Sequence, residues 1–189
     1  MESVPILMEE AGYGLRKLMI EDANDRYLGW IADPDINCFL TVGKFPPSIE
    51  DLRQYISGFE GNTNATAFAI MDTGKNMHIG NATINAINWI SGTADLGMMV
   101  GDKDYLGRQC AYVVWSMIIK YAFEVLGLRR LYVGILEGNT ECLDAAKRLS
   151  LIEEGKWRKH SLVKGEYQDE IWFGVLKEDM PGLHLHNQQ

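Results

Sequence analysis

Apolar positions along the chain change period several times, and the changes mark out its elements. Leu15 to Ile20 alternates as an opening strand does. Asp22 stands where an N-cap belongs, ahead of Ala23, Tyr27, Trp30 and Ile31 at helical spacing, and Pro34 ends that helix. Ser48, with Asp51 three positions on, is a second helix start, followed by Ile49, Leu52 and Ile56 on one face. Two strand-like runs, Thr66 to Met71 and Met77 to Ile84, flank Asp72-Thr73-Gly74-Lys75, a turn sequence suited to a hairpin. Thr93 to Val100 reads as a further strand.

From Tyr112 to Leu126 the period is helical. Ser116, Lys120 and Glu124 form a polar stripe, while Val114, Met117, Ile118, Tyr121 and Val125 face a core until Gly127 stops the helix. Arg130 to Leu136 is a β-branched strand, and Asn139 to Leu149 a helix with Cys142, Ala146 and Leu149 along one side. Arg158 to Val163 and Asp169 to Leu176 close the pattern as a hairpin across Lys164-Gly165-Glu166. A strand, crossover helix and strand near residues 94 to 136 implies one parallel pair inside an otherwise antiparallel sheet, hence a mixed α/β fold. Without a linker or repeat to divide it, the chain reads as one domain over residues 1–180 and a flexible tail over 181–189.

Composition narrows the class. Of 189 residues, 47% are hydrophobic and 23% charged, as in ordinary globular proteins. The net charge of -8 argues against a nucleic-acid partner, which needs clustered Lys and Arg, and no run approaches a membrane span. An acidic start without a long apolar run reads as no secretion signal, and three unclustered cysteines, Cys38, Cys110 and Cys142, fit reduced thiols in a cytoplasm. Cys142 reads as a small core residue rather than a nucleophile. Asp33, Asp35 and Asn37 have the opening spacing of a calcium loop, but Cys38 and Lys44 stand where Gly and Glu are required, so no metal is expected.

The stretch with most chemical content runs from Asp95 to Tyr112, a strand passing through a polar turn into the long helix. A helix start leaves N–H groups unpaired and carries partial positive charge, so the turn from Gly107 to Ala111 is a candidate anion site.

YLGRQCAYVVW in this stretch resembles the coenzyme A pyrophosphate loop of the GCN5-related N-acetyltransferase (GNAT) superfamily, in its RimJ/RimL-like branch. Further segments are similar to that branch in the same order: DRYLGWIADPDINCFL, IGNATI, ADLGMMVGDKDYLG, LRRLYVGILEGNTECLDAAKRLSLIEEGKWR and VKGEYQDEIWFGVLKED, together covering about residues 15 to 179. The resemblance implies the GNAT fold, a mostly antiparallel sheet with a parallel fourth and fifth strand pair splayed around acetyl-CoA and helices on both faces. It implies acetyl-CoA as co-substrate, held by Met99, Val100, Gly101, Gly107, Arg108, Gln109, Cys110, Ala111 and Asn139. Backbone N–H groups where the strand bulges around Met99 and Val100 would polarise the thioester.

It further implies transfer to an amine, with Asp95 as general base or, alternatively, as a solvated strand residue. Trp30 either shapes the acceptor pocket or continues an apolar helical stripe into the core, and Asn81 either binds the acceptor or satisfies sheet backbone. GWIADPDINCFL resembles relatives that act on amino sugars, which implies a small-molecule amine; alternatives are a protein N-terminus, or a degenerate acetyl-CoA binder. A monomer or homodimer is expected. The chain departs from the family at Leu106, at Gln109 in place of its second glycine, tolerable if helical, and at Ala146 and Ser150-Leu151 in place of its Tyr and Gly-Phe. Tyr167 or water would then replace the tyrosine as acid.

Overall fold

The computed structural model describes residues 4–40, 47–107 and 109–180. The expected tail from 181 onward, Lys44 and Arg108 lie outside them. Eight strands form one sheet: β1 (Ile6–Glu10), β2 (Tyr13–Lys17), β3 (Thr66–Asp72), β4 (Met77–Asn88), β5 (Thr93–Val100), β6 (Arg130–Leu136), β7 (Ile152–Val163) and β8 (Glu166–Leu176). Their spatial order is β1-β2-β3-β4-β5-β6-β8-β7, antiparallel throughout except at the parallel β5–β6 pair. The mixed sheet read from the sequence is therefore present, with strand β1 added before the expected opening strand.

Alternation along the strands sorts side chains onto two cores. Phe68 and Ile70 of β3 join Leu96, Leu131 and Val133 against α4 (Cys110–Lys120) and α5 (Thr140–Arg148). Ala67, Ala69 and Met71 instead meet α1 (Asp25–Ala32) and α3 (Ile49–Ser57). Helices thus cover both faces.

Local signals were kept where neighbours did not compete for them. Ser48 caps α3 with the reciprocal Asp51 bond. Asp22, however, does not cap α1; Asn24 does, accepting from the Arg26 and Tyr27 N–H groups. The Asp22 carboxylate is taken by the Arg16 guanidinium at 2.7 and 2.8 Å and by the Met19 N–H. Pro34 ends α1 by opening the short α2 (Pro34–Asn37).

The long helix is also modified. After Lys120 its final turn, Tyr121–Val125, widens into a π-turn, with the Leu126 N–H donating to Tyr121 O. Widening rotates the following side chains, so Val125, expected inside, is exposed. Ser116, expected on the polar stripe, is buried because α4 is packed between the sheet and α5.

Candidate functional site

Strands β5 and β6 are paired over Thr93–Asp95 and Arg130–Tyr132. Beyond that, β5 follows β4 out to Val100 and β6 follows β8 out to Leu136, and a gap opens between them. Pairing with β4 uses alternate N–H groups, so the others along Leu96–Val100 face this gap. The bulge expected at Met99 and Val100 lies just past them: the N–H groups of Gly101 and Asp102 both donate to Ile79 O, while Val100 still pairs with Gly80 in regular register.

At the wide end of the gap is a cavity of about 230 Å³. Met98, Met99 and Val100 form one wall, Ala111 and Asn139–Cys142 the other, and Asp35, Ile36, Phe39 and Leu40 the rim. Of the residues that the resemblance implies for the co-substrate, Met99, Val100, Ala111 and Asn139 line this one cavity. Gly101 stands just outside, under the ring of Trp30. Leu106, noted in the sequence only as a departure from the family, also lines it, and Met98, Glu141 and Cys142 were not read as site residues. Alternation in β5 exposed Met98 to prediction; nothing local marked the others. Burial pushes the Cys142 thiol up to about 12, so it is a neutral wall at ordinary pH.

The turn into α4 is built around two left-handed residues, Gly107 and Gln109. Gly107 has φ 72° and open space where a Cβ would be. Gln109, the N-cap, is left-handed with φ 63°, not helical as tolerance of that side chain required. Its side chain makes no capping bond among the described residues, which leaves the first N–H groups of α4 open to a ligand. Cys110 contributes only its backbone here, since its side chain is fully buried in the core. Asn139 caps α5, its Oδ1 accepting from the Cys142 N–H at 3.3 Å. Ala146 is fully buried and brings no hydroxyl to the cavity. Tyr167 is well exposed in the closing hairpin.

The opposite face of the sheet has a different character. Ala94 and Leu96 point into the α4 core, so Asp95 points the other way. Across the sheet it is level with Asn85 on β4 and Tyr132 on β6. Thr83 and Asn81 continue the same row on β4, opposite Gly97 and Met99, and Asn85 donates to the Thr83 hydroxyl at 2.8 Å. Burial pushes the Asp95 carboxyl up to about 6, opposed by a bond from the Leu96 N–H and reinforced by the charge of Glu170. Trp172 packs at a tilt against Tyr132 and Trp157, with ring centres 6.0 and 4.6 Å away. Sequence reasoning found Asp95 and Asn81 but not Thr83, Asn85, Tyr132, Glu170 or Trp172. The period-two alternation of β6 and β8 was the available signal.

Trp30 and Asn81 are both buried, at 6% and 5% exposure. Trp30 packs edge-to-face on His78, 5.0 Å between ring centres, within the α1–α3 core. Among the described residues no cluster of metal-ligating side chains is present; Asp33 and Asp35 take Lys103 instead, at 2.8 and 3.2 Å. No described helix is long and apolar enough to cross a membrane.

Residues 13–151 match the family described as an acetyltransferase (GNAT) domain. Over 170 residues the chain is 27% identical to a Bacillus licheniformis protein named uncharacterized N-acetyltransferase p20, covering 89% of this chain and 94% of that one. The fold superposes on spermidine N-acetyltransferase from Vibrio cholerae, solved with CoA and spermine, with TM-score 0.80 and 19% identity over 89% of this chain and 98% of that one. It also superposes on Mycobacterium smegmatis RimJ, solved with CoA-disulfide, with TM-score 0.79 and 17% identity over 89% and 84% of the two chains. The family match spans most of the chain and includes both walls of the gap, and the chain therefore belongs to the GNAT acetyltransferase family, acyltransferases whose co-substrate is acetyl-CoA.

Proposed function

We propose that this chain transfers the acetyl group of acetyl-CoA to the primary amine of a small polar acceptor such as an amino sugar. The supporting observation is the two-sided gap between β5 and β6. One side offers a cavity and an open helix start; the other offers a half-buried carboxylate among amides, hydroxyls and rings.

The residues present fit the co-substrate. The turn 107–111 and the first N–H groups of α4 would hold its pyrophosphate, and Met98–Val100 with Asn139–Cys142 would line its pantetheine arm. Bound there, acetyl-CoA supplies a thioester carbonyl activated toward nitrogen. N–H groups of β5 facing the gap would donate to the carbonyl oxygen as negative charge develops on it.

Asp95 is the general base in this reading. A carboxyl near 6 is ionised at neutral pH and is a better proton acceptor than an ordinary aspartate. It takes a proton from the entering ammonium, the freed nitrogen bonds to the carbonyl carbon and becomes positively charged, the carbon–sulfur bond breaks, the thiolate leaves with the electron pair, and the nitrogen gives its second proton to solvent, leaving a neutral amide. Ala146 cannot protonate that thiolate, so solvent does; a thiol of pKa about 8.5 tolerates this. Asn81, Thr83 and Asn85 present the bonding groups an acceptor's hydroxyls need, and Tyr132 and Trp172 present flat faces.

Two measurements test the reading in order. Acetyl-CoA at about 100 times its dissociation constant should add about 2.7 kcal/mol to stability. Thiol release is then followed across amino sugars, polyamines and N-terminal peptides. Amino sugars are expected to give the highest kcat/KM. Preference for peptides would move the assignment to a protein N-terminus, and binding without turnover would leave an acetyl-CoA binder.

A further inference from the structure

Asn81 is almost fully enclosed, yet its Nδ2 has no hydrogen-bond partner among the described residues. A buried amide group left open costs stability unless something else fills it. The orientation of that amide is set from behind by His78. The imidazole Nε2 lies 2.8 Å from Gly80 O and 2.9 Å from Asn81 Oδ1. Two oxygens meet one ring nitrogen, so that nitrogen carries the hydrogen and donates to both. Turning the Asn81 amide over would set its N–H groups against that N–H.

The ring itself is held on every side. Trp30 and Tyr27 pack edge-on against it, at 5.0 and 6.1 Å. Its Nδ1 lies 3.6 Å from Asp22 Oδ1, beyond hydrogen-bond reach, and Arg16 occupies that carboxylate. Burial keeps the imidazole proton affinity below its ordinary value, so near neutral pH the ring is uncharged with a single N–H.

Asn81 shares a face of β4 with Thr83 and Asn85, and its partner on β5, Met99, lines the cavity. We infer that His78 is a positioning residue: it locks the Asn81 amide with both N–H bonds directed away from the ring, as donors for an oxygen of the acceptor. This deepens the acetyl-transfer reading and rests on it for the identity of the ligand.

The first test needs no turnover. Long-range proton–nitrogen correlation on the free protein should find His78 as the Nε2–H form, with one sharp pair of Asn81 amide resonances. In His78→Met, which fills the space without an N–H, that pair should broaden or double. An Nδ1–H ring, or an Asn81 signal equally sharp in both proteins, overturns the inference.

The second test uses the best amine of the acceptor panel. Asn81→Ala and His78→Met should each raise the acceptor KM by about 10-fold, the factor expected for one lost hydrogen bond. Acetyl-CoA affinity should stay unchanged, and the double variant should be no worse than Asn81→Ala alone. His78→Gln, whose amide N–H reaches the same place, should recover most of the loss. Multiplying effects in the double variant, or a parallel fall in acetyl-CoA binding, overturns the positioning role. If no amine is turned over, the acetyl-transfer reading fails, while the resonances still decide whether His78 holds Asn81.

Discussion

The indole of Trp30 lies over the bare Cα of Gly101, where a Cβ would run into the ring. Helix α1 is thereby seated on the end of β5 at the bulge that closes the regular part of the strand. Gly101→Ala must push Trp30 off His78 or bend the bulge. Overpacking of this kind costs about 1–3 kcal/mol, so the melting temperature should fall by about 2–10 °C in thermal denaturation. An unchanged melting temperature would mean that the ring moves freely.

Asp95 carries two pH signatures. If it is the base, log kcat/KM should rise with pH and level off above about 6, and Asp95→Asn should remove that limb and slow turnover by about 100-fold or more. A wild-type limb retained in the asparagine variant would assign it to another group.

The same group links stability to pH. Its folded-state value, about 6, is above the ordinary 3.8, so the folded chain binds this proton more tightly than the unfolded one. The stabilisation is complete below pH 3.8 and is lost as pH rises through about 6. Asp95→Asn, which never ionises, should therefore exceed wild type by about 1 kcal/mol at pH 7–8, after allowing for solvent screening, with the gap closing in acid. Melting curves at both pH values check this.

Gln109 occupies a conformation that suits glycine, with φ 63°. The strain of a side chain there, about 1–2 kcal/mol, exceeds the extra chain entropy glycine loses on folding. Gln109→Gly should raise the melting temperature by about 1–3 °C, and Gln109→Val should lower it. Calorimetry of the three proteins decides the order.

Asn139 lines the cavity between β5 and α5 and caps α5 by accepting from the Cys142 N–H. Asn139→Ala should cost about 1 kcal/mol of stability, the usual loss for a cap, and weaken acetyl-CoA binding measured by titration calorimetry. Loss of stability with unaltered affinity would confine Asn139 to capping.

Much of the fold was readable because its signals are local. The Ser48–Asp51 cap, the strand from Thr93 to Val100 and the strand from Arg130 to Leu136 depend on residues a few positions apart, and all three appear where periodicity put them. The helix start at Asp22 was misread because Arg16, on the neighbouring strand, competes for that carboxylate. The inward face of Val125 was misread because one widened turn rotates the end of the helix, and the periodic pattern holds no mark of it.

The site divides in the same way. The sequence alone determined the strand–turn–helix at residues 95–112, its likeness to a coenzyme A loop, and Asp95, Asn81 and Asn139 as candidates, since each lies on a segment with a continuous pattern. Tertiary structure decided what those groups can do. The Asp95 carboxyl is raised to about 6 because strands far apart in the chain bury it beside Glu170, and the Asn81 carbonyl oxygen meets His78, which Trp30 packs against. Proton affinity and hydrogen-bond direction depend on the groups packed around a side chain, and packing brings those together only in the folded sheet.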